Sequence, residues 1–275
     1  MSAPITKAYI SYRNQKIIHI NRDMPKKDEA NFLTIKKKNF YDTYRAIKHT
    51  ATMLYLYLAA NKDGYKLSFS ENKVLEEMGM PTSTCSDQLK KLIKNGYLVP
   101  RKDSVGVYDF YERPMENFEK ITIDSNVKIK TIHIHRDMPK ENESNFLLIK
   151  KENLFNAYRR VGHTAMILYL YLAGNADGFN LALSPKAVQN EIGYPEATCR
   201  KQIQVLIDKK YLVLKKPGSN IFEFFEKNIK WFYGVDMLYA KDYRNFLMRK
   251  ERANCGFLIR KNLEKYIINK NKYII

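Results

Sequence analysis

Cysteine is scarce, three in 275 residues, which excludes a disulfide-built scaffold and suits a reducing compartment. No apolar run approaches the roughly 18 residues needed to span a membrane. Residues 1–16 hold no apolar signal core, so a cytoplasmic location is expected. Acidic side chains are outnumbered, 29 against 48 basic ones, giving a net charge of +19. A pI near 9.6 points to a polyanionic partner, nucleic acid first. Catalytic signatures are missing too. There is no Gly-x-x-x-x-Gly-Lys-Ser/Thr loop, no Cys-x-x-Cys and no Gly-x-Ser-x-Gly, and the five histidines and scattered carboxylates make no catalytic set. No enzyme activity, cofactor or metal is therefore expected. A chain of 275 residues that is 45% hydrophobic has material for two ordinary cores.

What is present is a long internal repeat. Residues 17–112 align without a gap on 131–226, at an offset of 114. Arg22-Asp23-Met24-Pro25-Lys26 recurs as Arg136-Asp137-Met138-Pro139-Lys140, and His49-Thr50-Ala51 recurs as His163-Thr164-Ala165. A unit of this size is a domain rather than a solenoid turn. The expected division is 1–116, 117–230 and a basic tail, 231–275, which carries 10 basic and 4 acidic residues.

Within each unit, 32–35 and 146–149 read as strands, and 39–47 and 153–161 as short helices. Thr50 and Thr164 are candidate N-caps of a further helix, where Met53, Leu54, Tyr57 and Leu58, or Ile167, Leu168, Tyr171 and Leu172, recur at helical spacing. Gly64 and Gly178 are its expected left-handed stops. Ser70 and Ser184 precede short helices, 71–78 and 185–192, broken by Gly79 and Gly193. Pro81 and Pro195 open the next helices, 81–95 and 195–209. Their apolar stripes are Cys85, Leu89, Leu92 and Ile93, and Cys199, Ile203, Leu206 and Ile207. Tyr97-Leu98-Val99 with 105–111, and Tyr211-Leu212-Val213 with 221–225, then read as β-hairpins. Helix, Gly turn, helix and hairpin make a winged helix-turn-helix. The expected fold is α+β, mostly helical: two tandem winged-helix domains with a basic helical C-terminal extension.

Ala51 to Val99, and again Ala165 to Val213, resembles the winged-helix module of plasmid and phage replication initiators, replisome organisers and mobile-element regulators. The residues that carry the likeness are the Leu-Tyr-rich helix, Asn-x-Asp-Gly, the Ser before the short helix, Gly-x-Pro, Thr-Cys, and the Leu-Ile end leading into Tyr-Leu-Val. The resemblance implies double-stranded DNA as the partner.

The second helix of the motif would enter the major groove. Its candidate contacts are Thr82, Ser83, Thr84, Ser86, Lys90 and Lys91 in the first unit, and Glu196, Thr198, Arg200, Lys201 and Gln204 in the second. Arg101 and Lys102, and Lys215 and Lys216, would lie on the wings. Arg, Lys and Gln donate to base edges, and Thr84 and Thr198 stand where hydroxyls and helix N–H groups hold phosphate. The core stripe is retained between units while the outer face changes. That divergence implies two half-sites of different sequence, on an asymmetric or direct-repeat site, read by one chain as a pseudo-dimer.

Other features have structural readings. Cys85 and Cys199 fall on the core stripe as small hydrophobes, which leaves Cys255 as the exposed thiol. The Arg-Asp-Met-Pro-Lys segments would close each domain or pair the two through an Arg–Asp contact, the alternative being a phosphate grip. His133-Ile134-His135 has the form of a nickase metal motif, but His19-Ile20-Asn21 shows that the pair belongs to one unit only. His49 and His163 would set helix entry. The tail, where Leu238, Tyr239, Phe246 and Leu247 alternate with Lys241, Arg244, Arg249, Lys250 and Arg252, suits phosphate binding or self-association. The expected job is that of a regulator or accessory DNA-binding factor of a mobile element in transcription, transfer or partition. The alternatives are an origin-binding replication initiator and a protein-interaction scaffold.

Overall fold

The computed structural model describes residues 16–26, 31–102, 104–115, 129–140, 143–215 and 220–227. The tail with its Cys255, and Lys216, lie outside them. The described elements belong to one compact unit, apart from Leu214 and Lys215, which fall in a second.

The fold is α+β. The first repeat gives β1 (Lys16–Asn21), β2 (Phe32–Lys36), α1 (Lys37–Ala59), β3 (Lys66–Ser68), α2 (Glu71–Met78), α3 (Thr82–Lys94), β4 (Leu98–Pro100) and β5 (Val107–Tyr111). The second gives the same order: β6 (Thr131–His135), β7 (Phe146–Lys150), α4 (Lys151–Ala173), β8 (Asn180–Leu183), α5 (Pro185–Ile192), α6 (Glu196–Asp208), β9 (Leu212–Leu214) and β10 (Ile221–Phe225).

The sheets do not respect the boundary expected at residues 116 and 117. One has the order β3-β6-β5-β4 and another β8-β1-β10-β9, so each repeat lends its first strand to the other's hairpin. β1 runs parallel to β10 and antiparallel to β8, with Ile17 opposite Ile221 and Ala182. β6 does the same with β5 and β3, Thr131 standing opposite Val107 and Ser68. The third sheet is β2 against β7, antiparallel, with Thr34 opposite Leu148 at its centre. Those two residues are themselves 114 apart, so a pseudo-twofold axis passes between them.

Period-two patterning explains the strands. Ile18 and Ile20, and Ile132 and Ile134, are fully buried, while the residues between them face outward. β1, β6, β3 and β8 are short and polar on one side, and none was expected from the sequence except as the setting of His133-Ile134-His135.

The two helices expected around residue 48 form one run with a break inside it. Lys48 has φ 62° and ψ −174°, and Gly162 has φ 73° and ψ 172°. That conformation is nearly reserved for glycine. Thr50 and Thr164 are therefore not the caps; the break lies two residues earlier. In the first repeat the Thr52 hydroxyl donates to the Lys48 carbonyl at 2.7 Å, and Lys48 Nζ lies 5.4 Å from the Tyr44 ring centre. The second repeat has Met166 at the position of Thr52 and needs no such hold, because Gly162 adopts the conformation unaided.

The same helices end at Ala59 and Ala173, short of Gly64 and Gly178, which take positive φ in the following turn. Ser70 and Ser184 occupy N-cap positions without a side-chain cap bond, and Gly79 and Gly193 are the left-handed C-caps. α3 and α6 begin one residue after Pro81 and Pro195, which are their N-caps. Ile207 is half-buried where Ile93 is buried. Cys85 and Cys199 are fully buried, as the stripe implied, and burial pushes both thiols up to about 12.

Candidate nucleic-acid interface

α3 presents Ser83, Asp87, Lys90 and Lys94 to solvent, opposite the buried Cys85, Leu89, Leu92 and Ile93. The exposed residues recur at i, i+4, i+7 and i+11, one stripe of a helix. Thr82, Thr84, Ser86, Gln88 and Lys91 flank it, half-buried. On α6 the exposed set is Ala197, Arg200, Lys201, Gln204 and Asp208, with Glu196, Thr198, Gln202 and Val205 half-buried.

Several of these groups already have partners. Ser86 Oγ donates to Glu71 at 2.6 Å, tying α3 to α2. Arg200 meets Glu196 at 3.2 Å, and Gln204 donates to Asp208 at 2.9 Å. Lys186 lies 3.8 Å from Glu196. The Arg200 and Lys186 ion pairs lie at the surface and contribute about 0–1 kcal/mol each, and the Gln204 hydrogen bond is exposed as well. A phosphate or base edge can displace them.

The β4–β5 hairpin holds Arg101 in a two-pronged pair with Asp109, both bonds at 2.9 Å. His135 Nε2 lies 2.8 Å from the same carboxylate and stacks on Tyr111 at 4.9 Å. Burial raises the Asp109 pKa, but hydrogen bonds to Arg101 and His135 outweigh it and hold it below the usual range. Arg101 is thus placed beside Asp109 and His135, not on a bare wing. Lys102 and Val105 follow it at the hairpin tip, Val105 being 95% exposed. Lys215 is exposed after β9.

The charge differs between the two helices. α3 carries Lys90, Lys91 and Lys94 against Asp87, a net +2. α6 carries Arg200 and Lys201 against Glu196 and Asp208, a net of zero.

The Arg-Asp-Met-Pro-Lys segments fasten the repeats together. Arg136 Nε donates to Glu112 at 2.7 Å, and both side chains are almost wholly buried. Its other donors reach the carbonyls of Asn61, at 2.9 Å, Ala59 and Thr34. Asp137 binds Lys36 at 2.8 Å, Asn39 at 3.0 Å and Arg113 at 2.7 Å. The mirror set is Arg22 with Glu226 at 2.7 Å and with the carbonyls of Asn175 and Leu148. Asp23 completes it with Lys150 at 3.1 Å, Asn153 at 3.0 Å and Lys227 at 2.9 Å. The Arg pairs with a Glu after the hairpin, not with the neighbouring Asp. Arg45 and Arg159 add a second reciprocal pair. Arg45 donates to the Glu191 carbonyl, and Arg159 to those of Glu76 and Glu77, so each caps the other repeat's short helix at its negative end.

His49 and His163, also 114 apart, face each other at 6.2 Å between ring centres. His49 accepts or donates at 3.3 Å with the Tyr44 hydroxyl and packs on Tyr194 at 5.8 Å. Burial lowers its pKa, with His163, Lys48 and Lys91 adding to the effect.

Glu112, Glu226, Arg45 and Arg159 were not singled out in the sequence. The available signal was their recurrence at the 114-residue offset. Compared with family models, curated proteins and solved structures, the chain matches none. No helix among the described residues is long and apolar enough to cross a membrane.

Proposed function

We propose that this chain binds double-stranded DNA sequence-selectively through two winged-helix units acting as an intramolecular pseudo-dimer, as a regulator or accessory factor of a mobile element. α3 and α6 are the major-groove helices, and the β4–β5 and β9–β10 hairpins are the wings. The observation that carries the reading is the exposed polar stripe on each of these helices, over a buried core and followed by a hairpin, in a chain of net charge +19. Thr84 and Thr198, near the helix N-termini, suit phosphate. Arg200, Lys201 and Gln204 suit base edges, and Lys90, Lys91, Arg101, Lys102 and Lys215 suit backbone charge.

The test is selection of bound genomic, plasmid and phage fragments at two salt concentrations, followed by footprinting. One discrete protected region, with log affinity falling linearly against log salt, supports the reading. Arg200→Ala should cost about 1–3 kcal/mol on that site, and Lys102→Ala should reduce the salt slope by about one across all sequences. Absence of salt-steep DNA binding would replace DNA with protein partners. Recovery of an origin repeat that melts on binding would replace the regulator with an initiator.

A further inference from the structure

We infer that the DNA site is an inverted pair of unequal half-sites, in which α6 reads sequence and α3 serves mainly as a charged anchor. The inference rests on the DNA-binding reading and adds its geometry.

Three independent sets of contacts are reciprocal under exchange of residue i with residue i+114. The strands are exchanged, β1 to β10 and β6 to β5. The buried clasps are exchanged, Arg22 to Glu226 and Arg136 to Glu112. The helix-end caps are exchanged, Arg45 to the Glu191 carbonyl and Arg159 to those of Glu76 and Glu77. Two further contacts, Thr34 with Leu148 and His49 with His163, join a residue to its own counterpart. Residue i touching j′ while j touches i′ is the mark of a twofold, isologous arrangement. Two units on a flexible linker could translate onto a direct repeat. These two cannot, because each sheet contains a strand of the other repeat. A twofold pair of reading helices meets a duplex in register only where the duplex has its own local twofold, so the half-sites face each other. Of the asymmetric and direct-repeat sites expected from the sequence, this keeps the first and replaces the second.

The halves are unequal because equivalent positions on the outer face differ, Ser86 being half-buried and the others exposed. Ser86, Asp87 and Lys90 stand where α6 has Arg200, Lys201 and Gln204. Ser86 is occupied by Glu71, and Asp87 repels phosphate and accepts only from donors. α3 keeps a net +2, which attracts backbone without choosing bases. α6 has no net charge but three exposed hydrogen-bonding side chains suited to base edges.

The experiment is selection from a random duplex library with the full-length protein, then with the exchange variant S86R/D87K/K90Q, which gives α3 the α6 reading face. The wild type should return one well-defined half-site and, inverted beside it, a weakly defined one. The variant should return a palindrome with both halves equal to the defined one. The same halves arranged head to tail should bind at least about tenfold more weakly, the loss of one good base contact. The reverse variant, R200S/K201D/Q204K, leaves Ser86 and Glu71 untouched and should lose the defined half-site in favour of weak sequence choice on both sides. Head-to-tail halves, or a defined half that survives the reverse variant, would overturn the inference with DNA binding intact. An unenriched library with no affinity for DNA would instead remove the reading on which it rests.

Discussion

Replacing Glu112 by Gln tests the claim that the repeats are held together by buried clasps. The Glu112 carboxylate accepts from Arg136 Nε at 2.7 Å and Asp137 N at 3.0 Å through one oxygen, and from Asn39 Nδ2 at 3.0 Å through the other. Every partner is a donor. A glutamine keeps one acceptor, so its NH2 group must face a donor whichever way the amide turns. The charge on Arg136, whose side chain is 3% exposed, also loses its counter-ion. Breaking a buried pair from one side costs about 3–5 kcal/mol. For a chain of this size each kcal/mol shifts Tm by roughly 2–4 °C, so a fall of about 6–20 °C is expected. Urea unfolding followed by far-ultraviolet circular dichroism measures the loss. Arg136→Met in the same chain should cost less than the sum of the two singles, by about 1–3 kcal/mol. Glu226→Gln repeats the test in the other clasp, where Arg22, Asp23 N and Asn153 are the donors. A loss under about 1 kcal/mol in both variants would refute the clasp.

Gly162→Ala should cost about 1–3 kcal/mol, because φ is 73° and nothing lies near the added methyl, so the cost is backbone alone. Lys48→Gly should gain up to about 2 kcal/mol, strain relief less the entropy of glycine; equal stability for both variants would contradict the account of the break. In a Cys255→Ser chain, a thiol reagent at neutral pH should label Cys85 and Cys199 only after unfolding, since burial raises both thiols to about 12. Burial raises the Asp23 pKa, but hydrogen bonds to Asn153, Lys227 and Lys150 overcome this and lower it to about 2. The stability it contributes is therefore full above the unfolded carboxyl value of about 3.9 and fades as pH falls towards about 2. The gap in unfolding free energy between wild type and Asp23→Asn should close over that window, and a constant gap would count against the ion cluster.

The helices were legible because their signals are local. Gly79 and Gly193 stop α2 and α5 as left-handed caps, and the apolar spacing of Cys85, Leu89 and Leu92 places the buried stripe of α3. The exchanged strands were not legible. β1 is Lys-Ile-Ile-His-Ile-Asn, six residues with only Ile18 and Ile20 buried, and nothing within it shows that its partner lies at residue 221. Pairing at that separation is set by the whole fold, and the sequence carries it only as a period-two pattern. The helix break moved from Thr50 to Lys48 because a lysine gives no warning of positive φ, while its counterpart Gly162 does. On the candidate interface, exposure of Lys90, Arg200, Lys201 and Gln204 followed from spacing. The pairing of Arg101 with Asp109 did not, since it joins two strands of a hairpin and recruits His135 from the other repeat.

A set of identities between the repeats lies where each touches the other. Arg22 and Arg136, Asp23 and Asp137, Lys36 and Lys150, Asn39 and Asn153, Arg45 and Arg159, and Glu112 and Glu226 are identical at the common offset, and all belong to reciprocal contacts. A buried ion pair gains little net stability over a well-packed apolar contact, so its value here lies in specifying the partner. Arg136 can satisfy its donors only with Glu112 and the carbonyls of Ala59, Asn61 and Thr34 in place together. A slip of one strand by one residue would turn Ile132 and Ile134 outward and strand that charge. The exchange therefore admits one register. The surface stripes of α3 and α6 bear no such constraint and have diverged at Ser86 and Arg200, Asp87 and Lys201, and Lys90 and Gln204. One twofold frame thus carries two different surface stripes, an arrangement that identical subunits of a homodimer cannot offer.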